Sequence, residues 1–432
     1  VIHAVYSGAL GLLLLGYAPL LLARRLRGRG HPAHLRERLG WGGGALPPEP
    51  RCWIHAVSVG EALTAAPLVD AIRRRWPELG IVVSTVTATG GRIVQDKLGG
   101  RACHRFFPLD LPGPVGRALD GIRPRFFVGL ETELWPNFIR ALAERGVPAM
   151  IANGRISDRS FRRYRLVRGL LRRVLARIAV FGMQSAEDAR RIIALGAAPD
   201  RVVVTGSLKT DAPVDDGSGR AVWERLLGLA PGERLLVAGS THRGEEGAVV
   251  EAWRALRGEV PDLRLLVAPR HPERVGEVEA LLAEAGVAGV RRTSLPRAQA
   301  PGSVIVLDTI GELAELYRLA DVVFVGGSLV PAGGHNMLEP VLRLRPVLFG
   351  PHTENFRDTA AMLLEAGGAE RVADATELAA AVRRLLREPD RAAAMARAGF
   401  AAVQSRQGAV ESTMALIERF LWPAGSPPPA GW

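Results

Sequence analysis

The residues 326–340, GGSLVPAGGHNMLEP, combine turn formers with side chains able to hold a ligand, and six of the fifteen are glycine or proline. A strand-like run, DVVFV at 321–325, precedes them and a helix-like run follows. A glycine-rich turn in that setting lets backbone N–H groups come close to an anion, and a following helix directs its positive end at the same place. The expectation is a phosphate cradle built from Gly326, Gly327, Ser328, Gly333 and Gly334, with His335 facing the ligand because its glycine and asparagine neighbours offer it little packing. Asn336 suits the cap of the next helix and places Glu339 in its first turn. That carboxylate either accepts the two hydroxyls of a ribose or simply complements the helix dipole.

Other chemically capable residues fall just after strand-like runs, where open parallel sheets bind their ligands. Glu61 follows 52–57, Glu131 and Glu133 follow 125–130, Asn153 and Arg155 follow 148–152, and Ser207 and Lys209 follow 202–205. In the second half Ser240, Thr241 and His242 follow 234–238, and Arg270 and His271 follow 263–268. Together they predict two polar rims facing a cleft between domains. Glu61 reads as a general base or as a first-turn carboxylate favoured by its helix. Glu131 and Glu133, separated by one residue, converge on one site only if the chain has already turned, and otherwise one of them holds Trp135 or nearby backbone. Paired carboxylates suit glycoside hydrolysis, but the loop at 326–340 is of no use to a glycosidase. Lysine appears only at Lys97 and Lys209. In a chain that otherwise uses arginine, Lys209 suggests a compact point charge for a phosphate or carboxylate. Arg270 and His271 offer one permanent and one titratable donor, unless His271 is a turn residue that packs locally.

These side chains need a frame, and the alternation of short apolar runs with helix-length amphipathic segments supplies one. Strand candidates at 52–57, 81–87, 125–130, 148–152, 178–182 and 202–205 precede a polar break, DAPVDDGSG at 211–219. The pattern restarts with strands near 234–238, 263–268, 304–307, 322–325 and 346–349. This predicts an α/β chain with two tandem Rossmann-like domains. Neither half follows its first strand with GxGxxG, since SVGEAL and STHRGE stand there, and GxxxxGK[ST] is absent. Dinucleotide dehydrogenases and P-loop nucleotide hydrolases are therefore disfavoured.

The 432 residues carry a formal net charge of +12, which calls for an anionic partner. No zinc-finger spacing, basic zipper or aromatic RNA-binding signature points to nucleic acid. Cys52 and Cys103 are too few and too isolated for a disulfide framework or a zinc site. Residues 4–23 hold no charge and RRLRGRGH follows, so an uncleaved membrane anchor with a cytoplasmic C-terminal flank is expected. An in-plane helix broken near Pro19 is the alternative. The basic segment 160–178, SFRRYRLVRGLLRRVLARI, suits either anionic lipid or a solvated surface.

In order, HAVSVGEA (55–62), ETELWPN (131–137), IANGRIS (151–157), GSLKTD (206–211), STH (240–242), PRHPER (269–274), GGSLV (326–330), GGHNMLEP (333–340) and GPHTENF (350–356) make this chain resemble the 3-deoxy-D-manno-octulosonic acid (Kdo) transferases. The resemblance runs almost end to end. It implies a GT-B glycosyltransferase fold, with an anchor at 1–27, an acceptor domain at 28–210, a nucleotide-sugar domain at 211–405 and a final helix within 406–432 that crosses back to the first domain. It further implies an inverting enzyme without metal or other cofactor that moves Kdo from CMP-Kdo to a lipid A precursor at the cytoplasmic face of a bacterial inner membrane. Glu61 stands where the family has its base, and Glu131 lies in the second acidic motif. Ser58, Gly60 and Arg155 would line the acceptor side. Ser207, Lys209, Ser240, Thr241, Arg270, His271, Gly326, Gly327, Ser328, Gly333, Gly334, His335, Asn336 and Glu339 would hold the nucleotide sugar. Thr210-Asp211 replaces the family's usual Phe-Asp. Another GT-B transferase, using a UDP-sugar and a lipid acceptor, is the competing expectation.

Overall fold

The computed structural model describes residues 3, 5–13, 16, 32–42, 45–211, 219–296 and 302–422. Much of the expected anchor at 4–23, most of the break at 211–219 and all of 423–432 lie outside them. Among the described residues no helix is long and apolar enough to cross a membrane. Residues 5–13 are helical, expose Val5, Leu12 and Leu13, and receive a hydrogen bond on Ser7 Oγ from Asn137 Nδ2 at 2.9 Å.

Two compact units account for the chain, Val1–Ala212 with Arg406–Trp432, and Pro213–Ser405. The first is built on β1 (Arg51–His55), β2 (Gly80–Thr85), β3 (Cys103–Phe106), β4 (Pro124–Leu130), β5 (Ala149–Gly154), β6 (Val180–Met183) and β7 (Val202–Val204), in the order β3-β2-β1-β4-β5-β6-β7. All its pairings are parallel. Central strands such as β2 and β5 are buried throughout, as an apolar run covered on both faces should be. On one face Leu68 and Ile72 of helix Val59–Arg75 share a core with Met414, Ile417 and Leu421 of the last helical segment. On the other, Trp53 packs edge-on against Phe138, ring centroids 5.0 Å apart, amid Phe107 and Phe127.

The second unit repeats the plan with β8 (Arg234–Thr241), β9 (Leu263–Pro269), β10 (Gly289–Arg291), β11 (Val304–Val306), β12 (Val322–Val325), β13 (Val347–Phe349) and β14 (Ala369–Arg371), in the order β10-β11-β9-β8-β12-β13-β14. Again every pairing is parallel. In each sheet the winding reverses once, between β1 and β4 and between β8 and β12. Loops diverge at such a reversal and leave a crevice at the strand ends.

Three strands, β3, β10 and β14, have no counterpart in the sequence reading. The basic segment 160–178 is also not one helix: it breaks at Val167 into Asp158–Leu166, which buries no residue, and Arg168–Leu175. Leu166 is 86% exposed and Val167 48% at the break.

The chain leaves the first unit after Ala212 and re-enters it at Arg406, and the flanking residues of that unit are tied together. Thr210 Oγ1 donates to Arg406 O at 3.1 Å and Gln407 Nε2 to Thr210 O at 3.2 Å. The Asp211 carboxylate accepts from Gly408 N at 3.1 Å and Val410 N at 2.7 Å, at the start of helix Ala409–Leu416.

Candidate active site

In the first unit Ser58 caps helix Val59–Arg75, and Glu61 lies three residues on, the spacing of a capping box. Val57 N donates to Glu61 Oε2 at 2.8 Å and Ser58 Oγ to Oε1 at 3.0 Å. A carboxylate so placed would ordinarily be acidic. Burial, followed by the charge of Glu131, instead pushes Glu61 up to about 7, while Lys209 pulls it back. Gly60 has only Ser58 Oγ near the position of an added Cβ, leaving the helix start open beside Glu61.

β4 ends at the winding reversal, and Glu131 directly after it has φ 58. The chain has thus turned at Glu131, which meets the condition for both carboxylates to act at one place. Lys209 Nζ lies 3.3 Å from Glu131 Oε1. Glu133 is pushed up to about 8 by burial and by Glu61. The Tyr164 hydroxyl is also raised, by burial and by Glu133. Glu61, Glu131, Glu133 and Lys209 therefore form one electrostatic cluster, with Tyr164 at its border.

Behind the cluster, fully buried Asn153 has φ 55 and accepts from Leu208 N at 3.0 Å, while its Nδ2 finds no partner. Ser207 Oγ accepts from Lys209 N at 3.4 Å. Arg155 donates its backbone N–H to Thr132 Oγ1 at 3.2 Å, and Thr132 Oγ1 donates back to Arg155 O. Ser207 and Lys209 stand in the unit that carries Glu61, as the expected domain bounds have them, with the Lys209 ammonium on the Glu131 carboxylate.

The second unit departs further from the expected cradle. Gly327 N, Ser328 N and Leu329 N donate at 2.6, 2.9 and 2.8 Å to the carboxylate of Glu245, a fully buried residue. The amides expected to hold phosphate hold a side chain of the protein itself. Ser328, also fully buried, donates its hydroxyl to Val325 O at 2.5 Å and accepts from Gly350 N at 2.8 Å. Gly326 is required by close approach, since a Cβ there would lie 2.7 Å from Ser240 O. The following helix is one turn, Leu338–Val341, with Met337 rather than Asn336 at its cap position. It is too short for the dipole argument made from the sequence. Asn336 keeps a local role: Oδ1 accepts from Leu338 N at 3.2 Å and Nδ2 donates to Glu339 Oε1 at 3.1 Å.

His335 does meet another functional group. Its Nε2 lies 2.8 Å from Nε2 of His242, so one ring donates and the other accepts. Burial and the nearby Arg270, His242 and His271 push His335 down to about 4. The ring of His271 lies 5.9 Å from that of His242, with its Nδ1 3.7 Å from Glu273 Oε1. Arg270 N donates to Thr241 O at 2.9 Å and leaves the guanidinium exposed. Ser240 turns the chain with φ 58, whereas the Thr241 hydroxyl is buried on Glu246 Oε1 at 3.0 Å. Gly333 and Gly334 both have positive φ, and Gly334 N donates to Gly327 O at 2.7 Å, folding the loop back on itself. Among the described residues no group of three or more His, Cys, Asp or Glu is arranged to hold a metal ion.

A family described as 3-deoxy-D-manno-octulosonic-acid transferase matches residues 33–212. The 3-deoxy-D-manno-octulosonic acid transferase of Haemophilus influenzae is 36% identical over 390 residues, 90% of this chain and 91% of that protein. The chain belongs to the Kdo transferase family. Its relative of the same name from Bordetella pertussis is 36% identical over 96% of this chain and 99% of that protein. As a member of that family it is a glycosyltransferase. A glycosyltransferase from Rickettsia africae, 12% identical with a TM-score of 0.59, covers 87% of this chain and 100% of its own, and shares the two-domain GT-B fold.

One residue of this Kdo transferase family member and one pairing escape the sequence reading. Glu245 stands in STHRGEE, where a helix-start glutamate looks like any dipole complement. His242 is visible at a strand end, but nothing in sequence spacing pairs it with His335, 93 residues away.

Proposed function

We propose that this enzyme transfers Kdo, with inversion and without a metal ion, from CMP-Kdo to a lipid A precursor in lipopolysaccharide synthesis. The observation that carries this reading is the Glu61 carboxylate, fixed by Val57 N and Ser58 Oγ and held near pKa 7 beside Glu131, Glu133 and Lys209. A general base needs a pKa near the working pH and a fixed orientation, and Glu61 has both. It accepts the proton of the attacking acceptor hydroxyl as the new bond forms and the bond from the sugar to the phosphate of the nucleotide breaks. The departing phosphate takes the leaving electron pair, and Arg270, His271 and the His242–His335 pair provide the donors that stabilise it. The names of the relatives support the sugar, and the basic, partly apolar surface of the first unit supports a phosphorylated lipid as acceptor.

The same reading places the enzyme on the cytoplasmic side of a bacterial inner membrane. Exposed Val5, Leu12 and Leu13 near the N-terminus and exposed Leu166 and Val167 among arginines support attachment to anionic lipid. Incubation with CMP-Kdo and tetra-acylated lipid A precursor should release CMP and add the mass of Kdo to the lipid. Transfer from a UDP-sugar with none from CMP-Kdo would overturn the donor assignment.

A further inference from the structure

Where β8 and β12 run side by side, the sheet ladder carries their registration as far as Gly239 and Val325, with a last backbone bond from Gly326 N to Gly239 O at 2.8 Å. Beyond that point β12 ends, β8 runs on against β9 only as far as Thr241, and no ladder joins the β8 loop to the β12 loop at the winding reversal. Glu245 takes over. Besides Gly327, Ser328 and Leu329 of the β12 loop, its Oε2 accepts from His242 N of the β8 loop at 2.8 Å. Four amides from two loops thus converge on one buried carboxylate. Charge-assisted bonds of this kind are among the stronger ones available to a loop.

Both histidines of the 2.8 Å pair are one step from this junction. His242 is tied through its own amide. His335 lies over Gly327, close enough that a Cβ there would come within 2.8 Å of His335 Cδ2, and the residue before it, Gly334, is bonded to Gly327 O. The rings lie within 15° of parallel with centroids 5.0 Å apart. A small shift of either loop would separate the two Nε2 atoms.

We propose that Glu245 is a positioning residue for the donor site: it staples the β8 loop to the β12 loop and thereby fixes the His242–His335 pair that receives the donor phosphate. The proposal rests on the donor reading given above. The amides sometimes used by such loops to hold an anion are here spent on internal order, and recognition passes to the imidazoles and Arg270. Charged and titratable groups acting on the pair are Glu245, Glu246, Arg270, His271 and Arg274.

Glu245→Gln tests this, because the amide keeps the size but sets an N–H donor against backbone N–H groups. Cytidine 5′-monophosphate affinity should fall, and the donor KM rise, by about tenfold or more, the scale of loss that follows displacement of a binding group, while the acceptor KM stays unchanged. In NMR spectra the ring-to-ring contact of His242 and His335, whose centroids lie 5.0 Å apart in the wild type, should be lost in the variant. Unchanged nucleotide affinity, or a His242–His335 contact that persists, would overturn the proposal. Should the variant not fold, amide exchange on the wild-type protein decides: Gly327, Ser328 and Leu329 N–H must be protected before nucleotide is added, and fast exchange there overturns it. A wild-type protein that binds no cytidine monophosphate, with those amides protected, would overturn the donor reading and with it the role assigned to the pair, leaving only the staple.

Discussion

Lys209 Nζ lies 3.3 Å from Glu131 Oε1, joining residues 78 positions apart, and both charges act on Glu61. The turn after β7 and the turn after β4 meet through it. Burial and Glu131 favour a protonated Glu61, whereas the hydrogen bonds from Val57 and Ser58 and, less, the charge of Lys209 favour the carboxylate. The balance leaves Glu61 near neutrality, where it both accepts and releases a proton readily.

Glu61→Gln should keep the fold and lower turnover by roughly a hundredfold or more, the contribution expected of a general base. Steady-state transfer assays at saturating donor measure this. Turnover within a few-fold of wild type would remove Glu61 from the base role.

The pH dependence has a definite sign. A base works deprotonated, so kcat should rise as pH passes through about 7 and level off above it. In Lys209→Met the charge that lowers the Glu61 pKa is gone, and the midpoint should move to higher pH. A midpoint that stays put or falls would show that Lys209 does not act on Glu61.

Stability should move the other way. The folded state raises Glu61 to about 7 and Glu133 to about 8 from an ordinary value of 4.5. Folding therefore takes up protons between these values, and its contribution is full below about 4.5 and lost as pH climbs through 7 to 8. Glu133→Gln, which has no charge to bury, should gain stability relative to wild type as pH rises from 5 to 9. Denaturant unfolding midpoints at the two pH values would show it.

Asp211→Ala removes the acceptor of two backbone N–H groups at the start of helix Ala409–Leu416. A loss of about 1–2 kcal/mol is expected, the value of a helix cap. Chemical denaturation followed by far-ultraviolet circular dichroism should detect it.

At the break between helices Asp158–Leu166 and Arg168–Leu175, the double change Leu166→Glu and Val167→Glu alters two exposed apolar side chains and should leave unfolding unchanged. Flotation with anionic vesicles should show weaker, still salt-sensitive binding, since screening acts over about 8–10 Å at physiological ionic strength. Identical flotation of variant and wild type would mean that this elbow does not touch lipid.

The α/β alternation in the sequence shows the long central strands because burial on both faces demands unbroken apolar runs. β3, β10 and β14 escape that rule, reading CHRF, GVR and AER, and all three lie at sheet edges where one side of the strand has no neighbour. Turn chemistry was harder to read. Glu131, Asn153 and Ser240 all have positive φ without being glycine, and each sits directly at a strand end among the candidate site residues. The types of residue at the site were visible, but which of them meet was not. The Glu245 carboxylate meeting the amides of Gly327, Ser328 and Leu329, and Lys209 meeting Glu131, depend on chain reversals that spacing does not encode.

The clasp of Thr210 and Asp211 on Arg406, Gln407, Gly408 and Val410 has a topological consequence. Everything from 213 to 405 is, in effect, a long excursion from the first unit, and the residues of that unit flanking it are pinned to one another. An excursion closed at its base can be cut out and the gap bridged by a few residues without threading or stretching the remainder. The helix Ala409–Leu416 would then follow Asp211 almost directly, and the first unit could be produced as a separate protein that still carries Glu61, Glu131 and Lys209.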